Sequence, residues 1–98
     1  MLTLRFETRL IHWRGPAPFF FAPIPREHGA KIKRVSKLVT YGWGVIPVEA
    51  EISDTVFRTS LFPRDETYLL PVKKDVRRKA GITEGDTVVV AMTVQDAR

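Results

Sequence analysis

Tyr68–Val90, YLLPVKKDVRRKAGITEGDTVVV, is the stretch that decides the fold. Tyr68-Leu69-Leu70 reads as a short apolar strand, and Pro71, which cannot donate to a ladder, ends it. Val72, Val76 and Ala80 then recur at i, i+4 and i+8, the narrow apolar stripe of a helix docked on a sheet. Lys73–Arg77 and Lys74–Arg78 form basic i,i+4 pairs on its remaining surface, and Asp75–Lys79 is a favourable pair worth about 0.2–0.5 kcal/mol. Gly81 stands where a left-handed residue ends a helix, with Ile82 ready for the accompanying apolar contact. Gly85-Asp86 turns the chain into a second strand through Val88 and Val90. The result is a β-α-β corner containing no group that performs chemistry.

Outward from this corner, period-2 alternation dominates. Leu4, Phe6, Thr8 and Leu10 share one face of a first strand, with Arg5, Glu7 and Arg9 opposite. Phe19-Phe20-Phe21 is apolar on both faces, as a central strand would be, and Pro23 and Pro25 end it. A helix is expected from Pro25 to about Lys37, short or irregular because of Gly29, with Ile32 and Val35 on its apolar side. Gly42-Trp43-Gly44 reads as a loop with Trp43 over a barrel end. Ile46, Val48, Ala50 and Ile52 point inward, Ser53-Asp54 is a two-residue hairpin candidate, and Phe57, Thr59 and Leu61 alternate with Arg58 and Ser60. A turn is expected at Pro63-Arg64-Asp65-Glu66, and Val88, Val90, Met92 and Val94 form a last strand.

Pro23-Ile24-Pro25-Arg26-Glu27 aligns with Pro71-Val72-Lys73-Lys74-Asp75 at an offset of 48 residues. Each follows an apolar strand and precedes a helix. The expected fold is therefore mostly β with two short α-helices, a small closed or split β-barrel built from two similar β-β-α-β halves, about 1–50 and 51–98, forming a single domain.

Composition bounds the function. Ninety-eight residues suit one core, and the absence of cysteine excludes disulfides and thiolate chemistry. No apolar run reaches the roughly 20 residues that span a bilayer, and the N-terminus MLTLRFETRL lacks an apolar core, so a soluble, cytoplasmic protein without membrane partners is expected. The net charge of +5 is unevenly placed. Residues up to Glu49 hold eight bases against three acids, and the rest hold eight against eight. A basic excess favours polyanions such as nucleic acid, although a solubility charge explains it as simply.

From Tyr41 to Val94 the chain resembles the uncharacterised family known as domain of unknown function 1905. The resemblance rests on Gly42-Trp43-Gly44 with Ile46-Pro47-Val48, Phe57-Arg58-Thr59-Ser60-Leu61 and Tyr68-Leu69-Leu70-Pro71-Val72. It continues through Val76-Arg77-Arg78-Lys79-Ala80-Gly81 into Glu84-Gly85-Asp86-Thr87-Val88. It implies a small β-barrel with helices and carries no catalytic residue. More locally, Leu70-Pro71 to Asp86 resembles the half-barrel of AbrB-like regulators and antitoxins, in which two chains interlock and bind DNA. Here one chain carries both halves, so a dimer is not needed to close the barrel.

Candidate sites follow. His12 and His28 lack metal-ligand spacing, so no metal or other cofactor is expected, and His12, on the inward parity of the first strand, reads as structural. Ser53 and Ser60 lie outside any nucleophile elbow. Glu49 and Glu51 share a strand face, most simply as solvated charges. That leaves no catalytic constellation, and a non-enzymatic binding or interaction module is the expected function. The first alternative is AbrB-like DNA or polyanion binding through the basic helices, with Lys33, Arg34 and Lys37 in the first half and Lys73, Lys74, Arg77 and Arg78 in the second as the candidate anion or nucleic-acid contacts. The second alternative is a small-molecule-binding barrel whose mouth lies near Trp13 and Trp43. The other aromatics, Phe19 to Phe21, Phe57 and Phe62, are expected mostly in the core.

Overall fold

A computed structural model describes residues 2–15, 19–39 and 46–94, with the side chains of 37–39 excepted. The expected Trp43 loop and the Lys37 side chain lie outside the described residues. Alternation becomes strand wherever it was read. In β1 (Leu2–Arg9), Leu4 and Phe6 are buried while Thr3, Arg5 and Glu7 are exposed. The remaining strands are β2 (Ile11–Trp13), β3 (Phe19–Pro23), β4 (Ile46–Ile52), β5 (Thr55–Arg64), β6 (Thr67–Pro71) and β7 (Thr87–Val94). Two helices, α1 (Arg26–Val39) and α2 (Lys74–Ala80), follow β3 and β6.

The sheet runs β1-β7-β4-β5-β6-β3-β2, every neighbouring pair antiparallel. Its two ends, β1 and β2, are consecutive stretches of one chain path separated by Leu10 alone, so the order returns on itself. Leu10 makes this corner: its side chain is buried, its N–H donates to the Asp86 carbonyl at 2.9 Å and its carbonyl accepts from Gly85 N–H at 2.8 Å. β5 changes partner in the same manner, pairing with β4 over Thr55–Leu61 and with β6 over Phe62–Arg64. Two bent strands thus curl a sheet into a barrel around Leu4, Phe6, Ile46, Val48, Ile52, Leu70, Val90 and Met92, all buried. Removing one such aliphatic side chain to alanine typically costs about 2–5 kcal/mol.

With β1 and β2 counted as one strand bent at Leu10, the chain runs twice through strand, strand, helix, strand, and the register displays the relationship between the halves. Phe21 pairs with Pro71 and Pro23 with Leu69, with Ala22 opposite Leu70 at the centre. The offset of 48 residues converts each of the outer pairs into the other and carries Ala22 onto Leu70. Both central residues are fully buried, as a sheet centre covered on both faces requires. The starts of α1 at Arg26 and α2 at Lys74 keep the same offset. Because β3 and β6 are antiparallel, the helices leave this central pair in opposite directions.

Four local expectations are corrected. The first helix is neither short nor irregular: it spans 14 residues. Gly29 is there for space, since a Cβ would meet the Thr67 side chain and come within 3.1 Å of the Thr67 Cα. Its absence lets α1 lie close on β6, where Thr67 Oγ1 donates to the Ile24 carbonyl at 2.7 Å. The Pro63–Glu66 turn is tighter than expected, because Pro63 and Arg64 remain in β5 and the reversal uses Asp65 and Glu66, with Asp65 at φ 54°. Val72 is not helical; its N–H extends the ladder to the Phe20 carbonyl at 2.9 Å, leaving Val76 as the buried residue of α2. The fourth concerns the aromatics, which are not mostly in the core and are described with the site below.

Two turns form as read. Ser53 and Asp54 both take positive φ, 49° and 63°, as a two-residue hairpin matched to strand twist requires. Gly81 is left-handed at φ 70°, its N–H bonded to the Arg77 carbonyl, and Ile82 packs against the core.

Candidate ligand-binding site

The β2–β3 hairpin pairs Trp13 with Phe19, His12 with Phe20 and Ile11 with Phe21. Since successive side chains in a strand alternate faces, Trp13, Phe19 and Phe21 stand on one side and His12 and Phe20 on the other. On the first side Phe21 is buried beneath its neighbours, with Phe19 at 5.9 Å and Phe62 of β5 edge-on at 6.3 Å between ring centres. The covering rings themselves stay wet: Trp13 is 49% exposed, Phe19 46% and Phe62 40%. An expectation of aromatics mostly in the core is therefore wrong for Phe19 and Phe62, because the barrel interior is already filled by side chains from β1, β4 and β7.

On the second side, His12 stacks parallel to Phe20 at 4.3 Å, and the Arg77 guanidinium carbon lies 3.6 Å from the same ring centre. Two groups that near one ring cannot share a face, so Phe20 is sandwiched between them. Arg77 is fastened by its Nη1, which donates to the Val72 carbonyl at 2.6 Å. Burial lowers its pKa from the usual value, but a guanidinium stays charged in proteins. His12 Nδ1 is 3.9 Å from Glu84 Oε1, which also accepts from Arg14 at 3.1 Å.

A cleft of about 440 Å³ opens where this stack meets β5 and α2. Phe19, Phe20 and Phe62 supply its rings, while Lys73, Lys74 and Arg77 supply its cations. Lys73 and Lys74 are exposed and free to turn toward a ligand. A neighbouring hollow of about 320 Å³ is lined by Trp13, Phe21 and Arg64, together with Pro63 and Leu69. Among the described residues lining these two cavities there is no carboxylate. A third hollow of about 520 Å³, on the β1–β7–β4 wall, differs in kind: its lining mixes Arg5 with Glu51, Asp54 and Asp86.

The sequence-derived candidates separate in space. Lys73, Lys74 and Arg77 meet in the cleft. Arg78 is exposed on α2 outside its lining, and Lys33 and Arg34 are exposed on α1, which packs on β6, β1 and β4 rather than on β5 as α2 does. Trp13 lines the adjacent hollow. Phe62, Thr59 and His12 were not anticipated as cleft residues. Their one signal was the Phe19-Phe20-Phe21 run, which demands aromatic company on both faces of its strand. His28 behaves as a packing residue, its ring 5.6 Å from Phe6, with a buried Nδ1 that has no protein partner.

Among the described residues no cluster of three or more histidine or acidic side chains is arranged around a common point, and no helix is long and apolar enough to cross a membrane. What the cleft can do chemically is hold negative charge against two mobile ammonium groups and a fixed guanidinium, beside rings that accept flat or apolar groups. No curated protein matches the chain. The family model described as Domain of unknown function (DUF1905) matches residues 6–92, covering both halves of the barrel and every residue of the cleft. With a barrel of two β-β-α-β halves and that match across nearly its whole length, the chain belongs to the DUF1905 family.

Proposed function

We propose that this protein is a non-enzymatic binding module that takes an anion bearing flat or apolar groups in the cleft between β3, β5 and α2. The observation that carries this reading is the composition of the lining: three cations and three phenylalanine rings with no carboxylate among the described residues. An uncompensated cluster of like charges attracts a counter-charge, and a ring that stays exposed beside it offers apolar contact to what that charge brings in. Arg77 serves as a fixed wall, since its hydrogen bond and its stacking on Phe20 already hold it. Lys73 and Lys74 are the groups that reach for the ligand.

The cleft is better supported than a duplex-DNA grip by both basic helices in the AbrB manner. Lys33 and Arg34 stand on a helix that packs on different strands from α2, so the two basic sets do not converge on the aromatic rings. Calorimetric titration with inorganic polyphosphate at low salt tests the reading. The wild-type chain is expected to bind, with affinity falling as salt rises, and the Lys73→Gln/Lys74→Gln variant is expected to lose at least tenfold. Equal affinity in the two proteins would remove the cleft as the anion site.

A further inference from the structure

We infer that the cleft and the neighbouring Trp13 hollow form one continuous site for single-stranded nucleic acid, with bases stacked on the exposed rings and phosphates on the flanking cations. This rests on the anion-binding reading above and names its ligand.

The argument begins with sheet parity. Trp13, Phe19, Phe21 and Phe62 lie on the outer face of β2, β3 and β5, where the register sets Trp13 directly across from Phe19. Side chains directly opposite stand about 4.5–5.5 Å apart at Cβ, and alternate residues along one strand stand about 7 Å apart. The observed Phe19–Phe21 and Phe21–Phe62 separations of 5.9 and 6.3 Å continue that spacing across the face. Three of these four rings are 40–49% exposed. An exposed sheet face set with aromatic rings is a surface on which unpaired bases stack.

Charge then narrows the ligand. Arg64 lies beside Trp13, and Lys73 and Lys74 lie beyond Phe19 and Phe62, so cations occur in both hollows. Rings that receive bases, flanked by cations that track phosphates, are the two requirements of single-strand binding, and stacking tolerates any sequence because every base has a π face. A duplex fails the first requirement, because its base faces are covered within the stack. A second copy of this chain fits poorly as well. In a twofold dimer the same patch meets itself, so the cations Arg64, Lys73 and Lys74 of one copy would face a lining that carries the same cations and no carboxylate. Asp75 is exposed on α2 outside the cleft, and Asp65 and Glu66 sit in the turn after Arg64; none of the three lines either hollow.

Fluorescence anisotropy decides the matter, using a labelled short oligothymidylate, an abasic strand of equal length and charge, and a duplex of equal length. The oligothymidylate is expected to bind at least tenfold more tightly than the abasic strand or the duplex. Its log K should fall with log salt by about 0.7 per phosphate neutralised. Phe62→Ala and Trp13→Ala alter exposed side chains, so both variants should keep the wild-type circular dichroism. Each is expected to weaken oligothymidylate binding roughly five- to hundredfold, and Trp13→Ala, which lies outside the lining of the anion cleft, should leave polyphosphate binding unchanged. An abasic strand binding as tightly as oligothymidylate would overturn the stacking site yet leave anion binding intact. Failure of oligothymidylate, abasic strand and polyphosphate alike would sink both readings. Sedimentation showing a dimer that Phe62→Ala dissociates, with no oligothymidylate binding, would overturn the inference and assign the face to a second copy.

Discussion

Arg77 holds Phe20 in place from above while bonding the chain that leads into its own helix. Its guanidinium carbon lies 3.6 Å from the ring centre, and its Nη1 donates to the Val72 carbonyl at 2.6 Å. One side chain thus ties α2 to β3 and to the end of β6. A hydrogen bond from a charged donor contributes about 1.5–3 kcal/mol, and a cation over a ring adds about 0.5–1 kcal/mol at partly exposed sites. Arg77→Ala is expected to cost about 2–3 kcal/mol in urea unfolding. Arg77→Lys should recover less than half, because an ammonium lacks the planar fork that stacks and donates together. A midpoint for Arg77→Ala within error of wild type would show the contact to be incidental.

Gly29→Ala tests the seating of α1. In an open helix that change stabilises by up to about 1 kcal/mol. Here the new methyl meets Thr67, whose Cβ and Cα would lie 2.9 and 3.1 Å away. Overpacking of this kind costs about 1–3 kcal/mol, so the sign reverses and the melting temperature falls. A rise in melting temperature would mean that α1 does not lie against Thr67.

Gly81→Ala isolates backbone strain from packing. A Cβ there meets nothing within 4 Å, so steric crowding contributes nothing, yet φ is 70°. The left-handed conformation costs an ordinary residue roughly 1–2 kcal/mol. Gly81→Ala is expected to lose that amount in chemical denaturation and Gly81→Asn clearly less, since asparagine tolerates this region. Equal losses for the two would refute the explanation.

Ser53→Asn/Asp54→Gly is expected to stabilise the protein by about 1 kcal/mol, because both turn residues sit at positive φ, where L side chains are strained and glycine is not. Thermal melting of the double variant reads the gain directly, and an unchanged or lower midpoint would contradict it.

Much of this architecture was legible because it depends on local rules. Alternation predicted the strands at Leu4–Leu10, Ile46–Ile52 and Val88–Val94, since a half-buried strand must keep one side apolar. Pro71 and Gly81 marked the corner around α2 because one lacks a donor and the other lacks a Cβ. The offset of 48 residues was visible because both halves use proline to leave a strand and enter a helix.

Other features needed the folded molecule. Nothing near Leu10 announces that one strand bends there to close the barrel; that follows from its bonds to Gly85 and Asp86, far along the chain. Gly29 looked like a helix breaker until Thr67 was seen against it. The basic residues of the two helical corners read as equivalent, but among the described side chains it is Lys73, Lys74 and Arg77 that line the cleft with the exposed rings. Phe19 and Phe62 looked like core residues, because a pattern of alternation says which side chains share a face and not which face is covered. The main alternating strands, the Ser53-Asp54 hairpin and the Gly81 helix end were therefore legible in the sequence alone, through short-range sterics and periodicity. Barrel closure, the fit of α1 and the assembly of the cleft belong to the tertiary structure, since each depends on contacts between residues distant in the chain.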